Sequence, residues 1–171
     1  MPRYAAFLRG VSPVNCSMAD LKRCVEKAGF SNVVTVLASG NVVFDAAGTP
    51  PATLERALEG AMDKHLGRTF GTMVRSMDRL HEILAGDPYQ GFKLPRGARR
   101  VVTFLRQRGA PAVRLPVELD GPSLLTVMGA ELFSAYVPSP KGPVFMTLIE
   151  RSFGKDVTTR TWDTLTKVAA R

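Results

Sequence analysis

The chain has 171 residues, a formal net charge of +8 and a hydrophobic content of 45%. A chain of this length can bury about 70% of the surface that it exposes when unfolded, so it needs neither a metal ion nor a disulfide to hold its core. No apolar run approaches the roughly 20 residues of a membrane span. The start of the chain is typical of a first strand rather than of a signal peptide, and the expected location is cytoplasmic.

The positive charge is concentrated in the second half of the chain. Residues 87–171 hold 13 Lys and Arg against 7 Asp and Glu, and most of the surplus lies between Arg96 and Arg114. Two interpretations stay open: a solvated basic face, or a surface that meets the phosphates of a nucleotide or nucleic acid.

The two cysteines are predicted to be reduced thiols. Cys16 and Cys24 lie about two helical turns apart, or roughly 12 Å, which is beyond disulfide reach. A redox role for Cys16, close to a helix N-terminus that would lower its pKa, is the minor alternative.

Residues 1–76 have the βαββαβ pattern of a ferredoxin-like unit. Ser17 and Asp20 approximate a capping box at the start of the first helix, and Pro51 suits the first turn of the second. The predicted elements are a strand at 3–9, a helix from Ser17 to Gly29, a hairpin of strands 33–37 and 42–44, a helix from Pro51 to Gly67 and a strand at 69–74.

Residues 77–171 predict a second α+β half that resembles an incomplete copy of the first. Ser76 caps a helix at 77–84, strands follow at 100–105, 124–128 and 132–137, and a turn-forming loop covers 138–143. Residues 144–153 are apolar on one face, and a final helix is predicted over 159–170. The fold class is therefore α/β (α+β): a single domain, 1–171, in which a ferredoxin-like half packs with a degenerate second half.

Polar turns at the ends of apolar strands provide the candidate ligand-binding residues, because a rigid sheet can present backbone N–H groups and a guanidinium there. The first group follows the first strand, the second lies at the hairpin tip, and the third opens the last predicted helix. They are Arg9, Gly10 and Ser12; Ser39, Gly40 and Asn41; and Thr159, Arg160 and Trp162. Each group also has a purely structural interpretation, as an ion pair, turn chemistry or a capped helix with a buried Trp.

No pattern in the chain indicates a metal site, a cofactor or a hydrolase. His65 and His81 have no second His or Cys at ligand spacing, and no G-x-S-x-G motif occurs. The aromatic residues of the first and third strands, Tyr4, Phe7 and Phe44, do not match the stacking pattern of RNA-binding sheets.

Four separated motifs resemble those of the bacterial domain-of-unknown-function family 1697. They are residues 7–11 (FLRGV), 18–21 (MADL), 39–44 (SGNVVF) and 159–164 (TRTWDT). The resemblance implies an α/β protein with ferredoxin-like units and implies no activity. This chain departs from the family's R-G-I-N-V-G-G turn at Ser12 and Pro13, and it has Thr161 where the family has Asn in T-R-N-W. Because Pro13 lacks an N–H, a flexible phosphate-embracing loop is not expected there.

Three functional hypotheses remain. The first is a binding protein in which Arg9, Ser39, Asn41 and Arg160 converge on a phosphorylated small molecule or a nucleic-acid backbone. The second is an enzyme that acts on a small metabolite in a cleft between the halves. The third is a protein-interaction module that uses the Pro-rich residues 94–116.

Overall fold

The computed structural model describes residues 1–107, 114–118, 122–138 and 144–171. These residues form two compact units. Unit 1 consists of Met1–Leu84 together with Thr166–Arg171, and unit 2 consists of Ala85–Leu165. The predicted loop at 138–143 lies almost wholly outside the described residues.

Unit 1 has the predicted ferredoxin-like order. Its elements are β1 (Arg3–Leu8), α1 (Met18–Lys27), β2 (Ser31–Thr35), β3 (Asn41–Asp45), α2 (Pro51–Leu66), β4 (Thr72–Ser76) and α3 (Met77–Gly86). The four strands form one antiparallel sheet in the order β2-β3-β1-β4. The central strand β1 pairs with both β3 and β4, so its residues are almost fully buried.

Local signals in the sequence set the ends of the unit 1 helices. The Ser17 side chain accepts a hydrogen bond of 3.1 Å from Asp20 N, as the predicted cap requires. Pro51 opens α2, and a second predicted cap is formed by Ser76, which accepts from Arg79 N at 3.1 Å. None of the helices that the structure describes is long and apolar enough to cross a membrane.

Unit 2 repeats the sheet order of unit 1. Its elements are β5 (Arg99–Leu105), β6 (Val117–Glu118), β7 (Pro122–Met128), β8 (Glu131–Tyr136), α4 (Val144–Phe153), β9 (Val157–Thr161) and α5 (Trp162–Ala169), the last of which continues into unit 1. The sheet order is β6-β7-β8-β5-β9. Without the two-residue β6, this order is again second, third, first and fourth strand. The described residues between β5 and β7 include β6 where a complete copy would have a helix, so the unit is a degenerate repeat.

The predicted start of the last helix is wrong. Residues 157–161 form β9, which pairs antiparallel with β5, and α5 begins only at Trp162. The run of Thr residues misleads because Thr suits both a helix cap and a β-strand. Thr161 is the actual cap, since its Oγ1 accepts from Thr164 N at 3.2 Å.

Two other strands are displaced along the sequence. The strand predicted at 33–37 is Ser31–Thr35, because Leu37 has a φ of 61° and turns the chain. The strand predicted at 69–74 is Thr72–Ser76. The hairpin, however, is confirmed, since β2 and β3 pair antiparallel.

The tip of this hairpin requires Gly40. Its φ is +87°, and a Cβ at this position would lie 2.9 Å from Val11 Cβ and 3.1 Å from Leu8 Cβ. We expect Gly40→Ala to lower the free energy of unfolding by about 2–4 kcal/mol, because left-handed strain and overpacking add. Urea denaturation measures the change.

Gly10→Ala is the matched control. Gly10 also has a positive φ, +81°, but a Cβ there would meet nothing within 4 Å. It should therefore show only the backbone cost of about 1–2 kcal/mol. Equal losses in the two variants would contradict the close packing at Gly40.

Candidate functional site

The structure brings the first two predicted groups together at one end of the unit 1 sheet. Leu8 N donates to Gly40 O at 2.9 Å, and Phe7 is the register partner of Asn41. The turn that contains Arg9, Gly10 and Ser12 therefore lies against the hairpin tip that contains Ser39, Gly40 and Asn41.

Hydrogen bonds within this end of the sheet engage many of its polar groups. The Asn41 amide is fully buried and donates to Val36 O at 2.9 Å and to Ser39 Oγ at 3.0 Å. In the loop between β1 and α1, Asn15 Oδ1 accepts from Ser12 N at 2.9 Å, and Asn15 Nδ2 donates to Gly10 O at 2.8 Å. Asn41 and Asn15 thus hold the two turns in shape, and the role of Asn15 was not predicted from the sequence.

Arg160 lies on β9 and not at the start of a helix. Its side chain is only 8% exposed, and its Nη1 donates to Thr158 Oγ1 at 2.7 Å and to Thr159 O at 2.8 Å. Burial lowers the pKa of Arg160 to about 10, because a charged guanidinium loses its hydration there. Of the third predicted group, Thr159 is partly buried on β9, with its Oγ1 3.0 Å from Thr103 Oγ1, and Arg160 is buried, whereas Trp162 is partly exposed beside the exposed end of the strand at Thr161.

At that exposed end, the basic stretch of the sequence meets the Thr-Arg-Thr-Trp motif. Strand pairing sets Val101 opposite Thr161, so Arg99 and Arg100 lie beside Trp162. The Arg100 guanidinium carbon lies 5.4 Å from the centre of the Trp162 ring. A concavity of about 280 Å³ opens here, and we call it the Arg–Trp concavity. Its lining residues are Arg99, Arg100, Thr161, Trp162 and Asp163.

Tyr89 packs against Trp162. The two rings meet edge to face with centroids 5.3 Å apart, and the Arg100 guanidinium carbon lies 5.6 Å from the Tyr89 ring centre. The Tyr89 hydroxyl donates to Val101 O at 2.7 Å and lies 3.1 Å from Ser134 O. Burial raises the pKa of Tyr89 well above its usual value, so the phenol stays a neutral donor. Trp162, held by Tyr89 and Arg100, is a partly exposed residue.

The Arg–Trp concavity has a net positive lining. Arg99 and Arg100 are exposed and supply two guanidinium groups, whereas Asp163 supplies one carboxylate in the first turn of α5. Sequence reasoning placed Arg99 and Arg100 in the basic stretch but not in a site, and it did not single out Tyr89 or Asp163. What could have identified the site is the pairing of β5 with β9. The sequence analysis did not find this pairing because it predicted a helix over residues 159–161.

The structure opposes a redox role for the cysteines. Cys16 and Cys24 are buried free thiols, and burial raises the pKa of both, which disfavours the reactive thiolate. Cys24 also lines a hollow between α1 and α2 together with His65. Within the described ranges, no three His, Cys, Asp or Glu side chains are grouped so that they could hold a metal ion.

A structural role for Asn41 predicts a large difference between two neighbouring substitutions. Asn41→Ala should lower the free energy of unfolding by about 2–3 kcal/mol, because it empties a buried site and leaves Val36 O without this donor. Ser39→Ala should cost less than about 1 kcal/mol, because water can replace the exposed hydroxyl. Thermal and urea unfolding of both variants test this, and equal stabilities would show that Asn41 is not needed for the turn.

Comparisons with known proteins support the fold. No curated protein sequence matches the chain. A solved structure, described as that of the conserved bacterial protein SP0830 from Streptococcus pneumoniae, is 20% identical with a TM-score of 0.73, and the match covers 99% of this chain and 97% of that one. The family model described as "Protein of unknown function (DUF1697)" matches residues 1–132. The chain therefore belongs to the DUF1697 family, as its four motifs predict.

Proposed function

We propose that the protein binds a ligand that carries both a phosphate group and a flat aromatic ring, such as a nucleotide unit, in the Arg–Trp concavity. The observation that carries this proposal is the position of the exposed Arg99 and Arg100 beside the partly exposed Trp162. The Arg–Trp concavity thus combines guanidinium groups, which bind anions, with an aromatic ring, on which a base can stack.

The guanidinium groups suit the phosphate. An arginine presents a planar fork of N–H donors that matches two phosphate oxygens, and charge-assisted hydrogen bonds of this kind are among the stronger ones in proteins. Arg99 and Arg100 are consecutive on β5, so their side chains leave opposite faces of the strand near its end. Both residues nevertheless line the concavity, so a phosphate bound there would lie beside two arginines.

The indole ring suits the base. Nucleic-acid bases stack on Trp and on arginine guanidinium planes, and each such stack is worth about 1–3 kcal/mol. The concavity, about 280 Å³, lies just below the usual range of ligand pockets, which enclose about 300–1,000 Å³. It fits one base with its phosphate rather than a larger metabolite.

Asp163 limits the affinity for an anion, since its carboxylate lines the same hollow. Its negative charge lies in the first turn of α5, where it interacts favourably with the helix dipole. This makes Asp163 useful for a test, because its removal should strengthen phosphate binding while removal of an arginine weakens it.

The proposal replaces the predicted convergence of Arg9, Ser39, Asn41 and Arg160. Asn41 and Arg160 are buried, Asn41 Nδ2 donates to Val36 O within the hairpin, and Arg160 Nη1 donates to Thr158 Oγ1 on the same strand. A ligand contact at Thr161 and Trp162 retains the part of the C-terminal motif that reaches the surface.

The fluorescence of Trp162 provides a direct measurement, because the chain contains one Trp. A 5′-mononucleotide should quench its emission when the base stacks on the ring. Arg100→Gln should weaken the binding at least tenfold, which corresponds to about 1.4 kcal/mol. Asp163→Asn should tighten it about two- to fivefold.

Arg151→Gln is the matched control, because it removes one exposed positive charge of unit 2 that does not line the concavity. Its affinity should equal that of the wild type. An absence of quenching by any mononucleotide, or equal losses in Arg100→Gln and Arg151→Gln, would refute the proposed site.

A further inference from the structure

A basic segment leads up to the Arg–Trp concavity, and one nucleotide would use only the end of it. Residues 88–117 contain seven Lys and Arg and no Asp or Glu. Within them, the eight residues from Lys93 to Arg100 carry four exposed positive charges, at Lys93, Arg96, Arg99 and Arg100. We call residues 93–100 the basic segment.

Both ends of the basic segment are tied to the Arg–Trp concavity. Before the segment, Phe92 N donates to Tyr89 O at 3.1 Å, and Tyr89 supports Trp162. At its other end, Arg99 and Arg100 are the first residues of β5 and line the concavity. The segment therefore begins just after a residue that is hydrogen-bonded to Tyr89 and ends at two residues that line the concavity.

A turn inside the segment orders its charges. Ala98 N donates to Pro95 O at 3.1 Å, which places Arg96 in the turn just before β5. Arg106, the residue that follows β5, is instead engaged by Asp156, whose oxygens lie 2.6 and 3.1 Å from its Nε and Nη2. The four charges of the basic segment thus lie within eight consecutive residues that end at the concavity, whereas Arg106, just beyond β5, forms an ion pair.

We propose that the ligand of this site is single-stranded nucleic acid, with one base on Trp162 and with the phosphates of neighbouring nucleotides along the basic segment. The inference rests on the proposed function. A positive groove that follows the backbone, next to an aromatic platform, is the arrangement by which proteins bind single strands. A duplex fits less well, because its bases are stacked inside and cannot reach the indole ring.

Salt dependence separates a single strand from a single nucleotide. For single strands, the slope of log K against log salt is about −0.7 for each phosphate neutralised. Contacts with all four residues predict a slope of about −2.8, so a rise from 50 to 200 mM salt should weaken binding about 50-fold. A mononucleotide that reaches only Arg99 and Arg100 should show no more than about half of this slope.

The test uses Trp162 fluorescence with an eight-nucleotide oligothymidylate, an eight-nucleotide oligouridylate and the two matching 5′-mononucleotides. The double variant Lys93→Gln/Arg96→Gln should lower the slope for the oligonucleotides to about −1.4. It should leave mononucleotide binding unchanged. Both side chains are exposed, so the variant should fold as the wild type does.

Arg151→Gln/Lys155→Gln is the charge-matched control, since it removes two exposed charges of unit 2 outside the segment. It should leave every slope unchanged. Oligonucleotides of either sugar that bind no more tightly than mononucleotides would overturn the single-strand inference and leave the proposed function standing. An equal loss of slope in the two double variants would also overturn it, because the effect would then be one of net charge. Quenching by no ligand at all would overturn both proposals.

Discussion

The pairing of β9 with β5 is the interaction on which the candidate site depends. Its register sets Val101 opposite Thr161, so the basic start of β5 and the Trp at the start of α5 share one end of the unit 2 sheet. Because side chains alternate along a strand, a shift of one residue would exchange the faces on which the β9 side chains lie. Arg160, for example, would leave its buried position. The Arg–Trp concavity is thus a product of long-range register rather than of a local motif.

The elements that depend on local signals could be predicted from the sequence. Ser17 and Ser76 cap helices, Pro51 opens one, and the apolar runs of β5 and β8 form strands, all as their residue types dictate. β9 could not be predicted in this way. Its Thr-rich sequence suits a strand or a helix cap equally well, and what decides is a partner strand far earlier in the chain. The site depends on the pairing of β9 with β5. The sequence therefore indicates the basic stretch and the Trp162 motif separately, but it does not indicate that they lie side by side.

The two polar turns of unit 1 contain predicted ligand-binding residues that have a structural role. Their residue types suggested ligand binding, and the structure does bring them together, but Asn41 and Gly40 have clear structural reasons to be there. The amide of Asn41 satisfies Val36 O inside the hairpin, and only a glycine fits between Leu8 and Val11 at the tip. Polar residues at strand ends are therefore a weak guide to function when the same residues are needed to close a turn. The exposed arginines beside Trp162 differ from these residues because they close no turn, although Arg100 also packs over the rings of Trp162 and Tyr89.

The most direct measurement is a titration of the ¹⁵N-labelled protein with a short single-stranded oligonucleotide, followed by ¹H–¹⁵N correlation spectra. The single Trp provides one indole N–H resonance that reports on the concavity alone. The account predicts that this resonance shifts together with the backbone amides of Arg99, Arg100 and Asp163 and those of the basic segment. If only the amides of the turns around Arg9 and Ser39 shift and the indole resonance does not move, the Arg–Trp concavity is not the binding site. The ligand would then bind at the polar turns of unit 1.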